Sequence, residues 1–156
     1  MKILILGAGR VGSSLASTLS KQSYEVSIVD LNKDKLQSLQ QDFDLATEVG
    51  HCSYPSTLKK AGADKETILL AVTNSDECNI TSCQIAKSKL NVKKTICRLS
   101  NASYLDSLDA FGENNIDIAI SPENEVTEHL VDLIKHPGAE QIESFANGSI
   151  KVVSVK

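Results

Sequence analysis

The chain has 156 residues, a net charge of −4 and an apolar fraction of 41%, enough for one well-buried soluble domain. The acidic balance excludes a broad nucleic-acid footprint. No apolar run approaches the roughly 20 residues that cross a bilayer, so direct membrane insertion is not expected. Lys2 precedes an apolar stretch that runs straight into a glycine turn, unlike a signal peptide, and a cytoplasmic location is expected.

Lys2-Ile3-Leu4-Ile5-Leu6 is a short continuous apolar run, the mark of a buried strand. Gly7-Ala8-Gly9-Arg10-Val11-Gly12 follows at once. Val11, Leu15, Ala16 and Leu19 then recur at helical spacing, and a second apolar run over 25–30 ends in Asp30. Strand, glycine turn, helix, strand, acid is the order of a dinucleotide-binding βαβ unit. Gly7 permits the sharp turn, Gly9 lets a pyrophosphate approach the backbone, and Gly12 lets the helix pack closely on the strand. The helix N-terminus offers N–H groups and a positive dipole end to phosphates. Asp30 either accepts hydrogen bonds from ribose hydroxyls, which disfavours a 2′-phosphate, or caps the next helix.

Asn32 suits a helix cap, with Leu36, Leu39 and Gln40 behind it over 32–41. A third strand is expected over 45–49, then a loop at 50–53 containing Cys52, then a helix from Pro55 to Gly62. The run 67–72 is apolar enough to be buried on both faces. Thr73, Asn74 and Asp76 follow in a polar turn, where they either contact ribose and phosphate or cap the helix through Ile80, Cys83, Ile85, Ala86 and Leu90. Residues 95–98 form a fifth strand ending in Arg98. Ser100 is expected to cap a helix carrying Leu105, Leu108 and Phe111, closed by Gly112. A sixth strand covers 116–120, and Ser121-Pro122-Glu123 opens a helix through Val126, Leu130, Val131 and Ile134.

This alternation predicts an α/β fold: a Rossmann-like, doubly wound parallel sheet of about six strands with helices on both faces, in the order 3-2-1-4-5-6. Beyond it, 140–145 and 149–155 read as a C-terminal β-hairpin around Asn147-Gly148. The domain is expected over 1–138 and the hairpin over 139–156. That stub either begins a further module, pairs with another chain, or packs as a plain terminal hairpin.

Ligands in such sheets bind at the carboxyl ends of the strands. The candidate cofactor-binding residues there are Gly7, Gly9, Arg10, Val11, Gly12, Asp30, Leu31, Cys52, Thr73, Asn74, Asp76 and Arg98. Arg10 can hold a phosphate bidentately or stand as an exposed loop arginine. Arg98 can meet a phosphate or a carboxylate across a subunit contact. Glu123 complements its helix dipole or contacts a cation near a dimer contact; no metal ligand set is otherwise expected. NAD(H), ATP and ADP fit Asp30, whereas NADP fits poorly. The four cysteines, Cys52, Cys78, Cys83 and Cys97, lack zinc or CxxC spacing and are expected as free thiols. No catalytic motif accompanies the nucleotide turn: neither a Walker lysine, nor a Gly-x-Ser-x-Gly elbow, nor a Tyr-x-x-x-Lys pair. No catalytic residue is therefore assigned, and the protein is not expected to be an enzyme.

Gly7–Gly12 with Asp30, Ala61-Gly62-Ala63-Asp64, Ala71-Val72-Thr73-Asn74-Ser75-Asp76-Glu77, Ile118-Ala119-Ile120-Ser121-Pro122-Glu123 and His136-Pro137-Gly138-Ala139 together resemble TrkA-type RCK domains, the regulators of potassium conductance. The likeness covers nearly the whole chain and implies a nucleotide sensor, not an enzyme. It further implies a homodimer or higher oligomer, associating around the last helix. The implied partner is a membrane potassium-transporter subunit of the TrkH or TrkG type, placing the protein at the inner face of the membrane. In this resemblance Arg10 matches a phosphate contact, Asp30 a ribose acid, and Glu123 a carboxylate near the dimer contact. His51-Cys52 departs from the family's usual small or acidic residue. TrkA-type regulators have two such halves, so the chain reads as a fragment. The alternatives are the detached NAD-binding domain of a dehydrogenase and an interaction module with a dead site.

Overall fold

The computed structural model describes residues 1–22, 24–108, 116–145 and 150–155. Its elements run β1 (Lys2–Leu6), α1 (Arg10–Lys21), β2 (Glu25–Asp30), α2 (Lys33–Asp42), β3 (Ala46–Val49), α3 (Pro55–Lys60) and β4 (Thr67–Ala71). They continue with α4 (Asp76–Leu90), β5 (Lys94–Arg98), α5 (Ala102–Leu105), β6 (Ile118–Ile120), α6 (Pro122–Lys135), β7 (Ala139–Phe145) and β8 (Ile150–Val155). By its contacts the chain divides into two compact units, Met1–Ile120 and Ser121–Lys156. The expected boundary followed residue 138; here α6 groups with β7, the strand that it touches.

In the first unit the six strands are all parallel, in the order β3-β2-β1-β4-β5-β6. β1 lies inside the sheet, with Lys2 opposite Glu25 on one side and Thr67 on the other. Successive side chains of a strand point to opposite faces. Ile3 and Ile5 therefore meet Ala16, Leu36 and Leu39 from α1 and α2, while Leu4 and Leu6 meet Leu58, Ile80, Cys83 and Ala86 from α3 and α4. All four β1 side chains are buried. Burial of such a side chain stabilises the fold by about 1.5–3 kcal/mol, so the two apolar layers hold β1 firmly. The strand order reverses between β1 and β4. A crevice opens there at the carboxyl ends of the strands.

β6 and α5 differ most from the expected ranges. β6 begins at Ile118. Just before it, the Asp117 carboxylate accepts the Thr95 N–H at 2.6 Å and the Thr95 hydroxyl at 3.0 Å, and pairs with Lys87 Nζ at 2.8 Å. Burial opposes the charge on Asp117, but Lys87 and Thr95 outweigh it and hold the carboxyl below its usual range. The helix expected from Ser100 is the short α5, and its cap is Asn101, whose side chain accepts the Ser103 N–H at 3.0 Å. Phe111 and Gly112 lie outside the described residues.

In the second unit β7 and β8 pair antiparallel, with Phe145 opposite Ile150, as the hairpin pattern predicts. The Asn147-Gly148 turn lies outside the described residues.

Candidate functional site

A cleft of about 570 Å³ opens at the carboxyl ends of β1, β2, β4 and β5. Its size falls within the usual range for small-molecule sites. The glycine turn forms one wall. Gly7 adopts φ +100°, a conformation that a side chain would strain, and its N–H donates to the Val29 carbonyl at 2.8 Å. A Cβ at Gly12 would lie 1.8 Å from the Gly7 carbonyl oxygen, so helix and turn interlock through the missing side chain. Gly9 differs, because a Cβ there would meet nothing within 4 Å. Gly9 is also the N-cap of α1 and supplies no side-chain acceptor. The N–H groups of Arg10 and Val11 thus start the helix without intrahelical acceptors and carry its positive end.

Asp30 closes the cleft at the end of β2. One carboxylate oxygen accepts the Ala8 N–H at 2.6 Å and the other accepts the Asn32 N–H at 2.7 Å. Capping of α2 falls to Asn32, whose side chain accepts the Lys35 N–H at 3.1 Å. Asp30 therefore braces the glycine turn directly, from the end of the neighbouring strand. A carboxylate has about four acceptor positions, so capacity remains for ribose hydroxyls.

The far wall is built by Asn79, which is wholly buried in α4. Its carbonyl oxygen accepts the Thr73 N–H at 3.0 Å and the Thr73 hydroxyl at 2.7 Å. Its amide donates to the Thr73 carbonyl at 3.2 Å and the Arg98 carbonyl at 2.9 Å. One side chain thereby fixes the ends of β4 and β5 together, and holds Thr73 and Arg98 at the cleft.

Ten of the candidates line the cleft: Gly7, Gly9, Arg10, Val11, Asp30, Leu31, Cys52, Thr73, Asn74 and Arg98. Gly12 is buried behind the turn and serves packing. Asp76 is committed elsewhere: its carboxylate accepts the N–H groups of Ser100 and Asn101 at 2.9–3.0 Å, tying the start of α4 to the segment after β5. Glu123 stands exposed in the first turn of α6, within the Ser121–Lys156 unit. The described residues assemble no group of three or more His, Cys, Asp or Glu able to hold a metal ion. No helix among them is long and apolar enough to cross a membrane.

Lys35, His51, Ser75 and Cys78 also line the cleft without having been singled out as ligand contacts. His51 stacks on Tyr54 at 4.9 Å between ring centroids, and its Nδ1 accepts the Ser53 N–H at 3.3 Å. Cys78 was detectable in principle. It stands three residues after the Ser75 cap, in the turn of α4 that faces the strand ends. Lys35 carries no such mark; only the angle of α2 brings it to the cleft. The Cys52 thiol lowers the Cys78 thiol to about 6, against the effect of burial and with support from Ser82, His51 and Thr73. Cys78 in turn, together with burial, pushes the Cys52 thiol far up.

A doubly wound parallel sheet with this glycine turn after its first strand and a carboxylate ending its second defines a Rossmann-like domain of the dinucleotide-binding kind. Within that class the chain belongs to the TrkA-N domain family, whose model matches residues 3–122. It is 42% identical over 159 residues to the Trk system potassium uptake protein TrkA of Vibrio alginolyticus, covering 100% of this chain and 35% of that protein. The chain thus spans about a third of the length of the curated relatives it matches. Among solved structures, it resembles the GsuK channel bound to NAD with a TM-score of 0.70, at 16% identity over 94% of this chain and 25% of that one. It also resembles the Shewanella denitrificans Kef C-terminal domain in its AMP-bound form with a TM-score of 0.67, at 19% identity over 88% of this chain and 82% of that one. At such identities these two likenesses establish the fold.

Proposed function

We propose that this chain is the nucleotide-sensing lobe of a potassium-uptake regulator. The observation that carries the reading is the placement of the α1 N-terminus and Asp30 on one cleft, with Arg10 beside them. Phosphates meet the Arg10 and Val11 N–H groups and the Arg10 guanidinium, while ribose hydroxyls meet Asp30. Leu31, Cys52, Thr73, Asn74 and Arg98 complete the contacts. Two fold neighbours carry NAD and AMP, which share an adenosine 5′-phosphate. The ligand class is accordingly NAD(H), ATP or ADP. The role is binding and not turnover.

The Trk system relatives support a membrane potassium-transporter subunit of the TrkH or TrkG type as the partner. The protein would act in the cytoplasm, at the inner membrane face through that partner, as a homodimer or higher oligomer that associates around α6. Coupling works by population shift: a nucleotide that binds one arrangement of the regulator better biases the transporter by that difference in affinity.

Calorimetric titration with NADH, NAD, ATP, ADP and NADP tests the site. Saturable binding of one or more is expected, with NADP weakest, because the Asp30 carboxylate repels a 2′-phosphate. Arg10→Ala should lose about 10- to 150-fold in affinity, the value of a charged hydrogen bond to phosphate. No binding by any of the five would overturn the reading. Transporter currents with and without nucleotide, for wild type and Arg10→Ala, test the coupling; four equal currents would dismiss it.

A further inference from the structure

We propose that Cys78 and Cys52 are a peroxide-oxidisable thiol pair in the wall of the cleft, and that the disulfide they form excludes nucleotide. The second half of this proposal rests on the nucleotide reading above. Both cysteines line the cleft, from two different elements: Cys52 from the loop after β3, and Cys78 from the first turn of α4. Cys78 is half-buried and reachable from the cleft, and its sulfur lies 4.0 Å from the Ser82 hydroxyl. Cys52 is buried next to it, its sulfur 3.9 Å from the Val29 carbonyl. The remaining cysteines, Cys83 and Cys97, are 0% exposed and line no part of the cleft, so only one pair meets a solute that enters it.

The surroundings fit a nucleophile at Cys78. The positive end of α4, a helix of 15 residues, favours a thiolate in its first turn. His51 faces the pair from the loop after β3, Asp30 from β2 and Arg98 from β5, while Asp76 and Glu77 on α4 itself oppose the charge. The Cys52 thiol is the largest contributor and, with Ser82, His51 and Thr73, holds Cys78 near 6 against burial, while Cys78 and burial push Cys52 up. Cys78, the more accessible of the two sulfurs, is then the attacking cysteine, and the buried Cys52 is the resolving one.

The reaction balances with a hydroperoxide as the oxidant. The Cys78 thiolate attacks one peroxide oxygen and the O–O bond breaks. Cys78 becomes a sulfenic acid, and the departing hydroxide takes a proton from solvent to leave as water. The Cys52 sulfur then displaces the hydroxyl from the Cys78 sulfur and supplies its own proton, releasing a second water. Two thiols are oxidised to a disulfide, and the peroxide is reduced. The new bond ties the loop bearing His51 to the start of α4, across the part of the cleft lined by Thr73 and Ser75.

The test uses the wild-type chain and hydrogen peroxide. Peptide mapping by mass spectrometry without reductant should find Cys52 joined to Cys78. The Cys52→Ser variant should instead retain a Cys78 sulfenic acid that dimedone traps. Alkylation of Cys78 by iodoacetamide should follow an ionisation near pH 6, and NADH should slow it at least fivefold. Oxidation should weaken NADH binding at least tenfold, and dithiothreitol should restore it. A bridge between Cys83 and Cys97, or no bridge, overturns the proposal, and so does unchanged NADH affinity in the bridged protein. If the reduced chain binds no nucleotide, the exclusion half falls with the nucleotide reading, and the mass map still decides the thiol chemistry by itself.

Discussion

Gly9 and Asp30 line the same cleft, and substitutions there separate fold from binding in different ways. Gly9 has φ −79°, which any residue adopts, and open space where a side chain would project. Gly9→Val should therefore change unfolding stability by about 1 kcal/mol or less, the cost of a poor N-cap, while blocking the phosphate and weakening ATP or NADH binding more than tenfold. Asp30→Ala removes the carboxylate oxygens that accept the Ala8 and Asn32 N–H groups, and with them the proposed ribose contact. It should lose about 1–3 kcal/mol in urea-derived stability and, on the proposed ribose contact, a similar amount in binding. Normal nucleotide affinity in Asp30→Ala would confine that carboxylate to bracing the turn. These residues were legible because the chemistry demands a fixed spacing of glycines and acid. Asn79 was not, since a buried asparagine inside a helix has no spacing to announce it. Its partners, Thr73 and Arg98, come from two strands that only the folded sheet brings together.

Elements were read correctly where apolar period and caps agreed, and misread where a side chain outcompeted the backbone. Asn32 caps α2 as its position in the sequence implies. The cap of α5 is Asn101 and not Ser100, whose N–H goes instead to the Asp76 carboxylate. Ile116 and Asp117 continue an apolar-looking run, yet Asp117 leaves the ladder to serve Thr95 and Lys87. The sequence puts Asp76 among the expected ligand contacts, but its carboxylate faces the segment after β5: a polar residue in a helix-opening turn can face either the cleft or the next loop. The junction between β4, α4 and β5 rests on Asn79. Asn79→Ala should leave the Thr73 N–H and the Arg98 carbonyl without that partner, each costing about 1–3 kcal/mol if it stays buried. A urea midpoint lowered accordingly, with an unchanged slope, is the expected result; a loss below 0.5 kcal/mol would mean that the strand ends are held by the sheet alone.

For the molecule as a whole, alternation of strands and helices revealed the sheet and its order, because short apolar runs buried on both faces leave few other topologies. Assembly was not legible from residues in the same way. Val126, Leu130 and Ile134 recur every four residues along α6 and are 59%, 53% and 78% exposed. A stripe of that kind at helical spacing fits association between copies. Ile134→Asp should shift sedimentation toward a smaller species without loss of helical circular dichroism. An identical sedimentation profile would place the contact elsewhere.

The central position of β1 has a consequence for how the chain reaches this structure. β1 is made before both of its neighbours, and one of them is the distant β4, with Lys2 meeting Thr67. Until β4 is synthesised and docks, one side of this apolar strand presents an unpaired backbone edge, the kind that recruits stray chains. Closure of a parallel sheet over so long a sequence separation is slow, since the loop entropy is lost before contacts return it. The strand that leads into the glycine turn thus keeps one edge open until more than sixty further residues have been made.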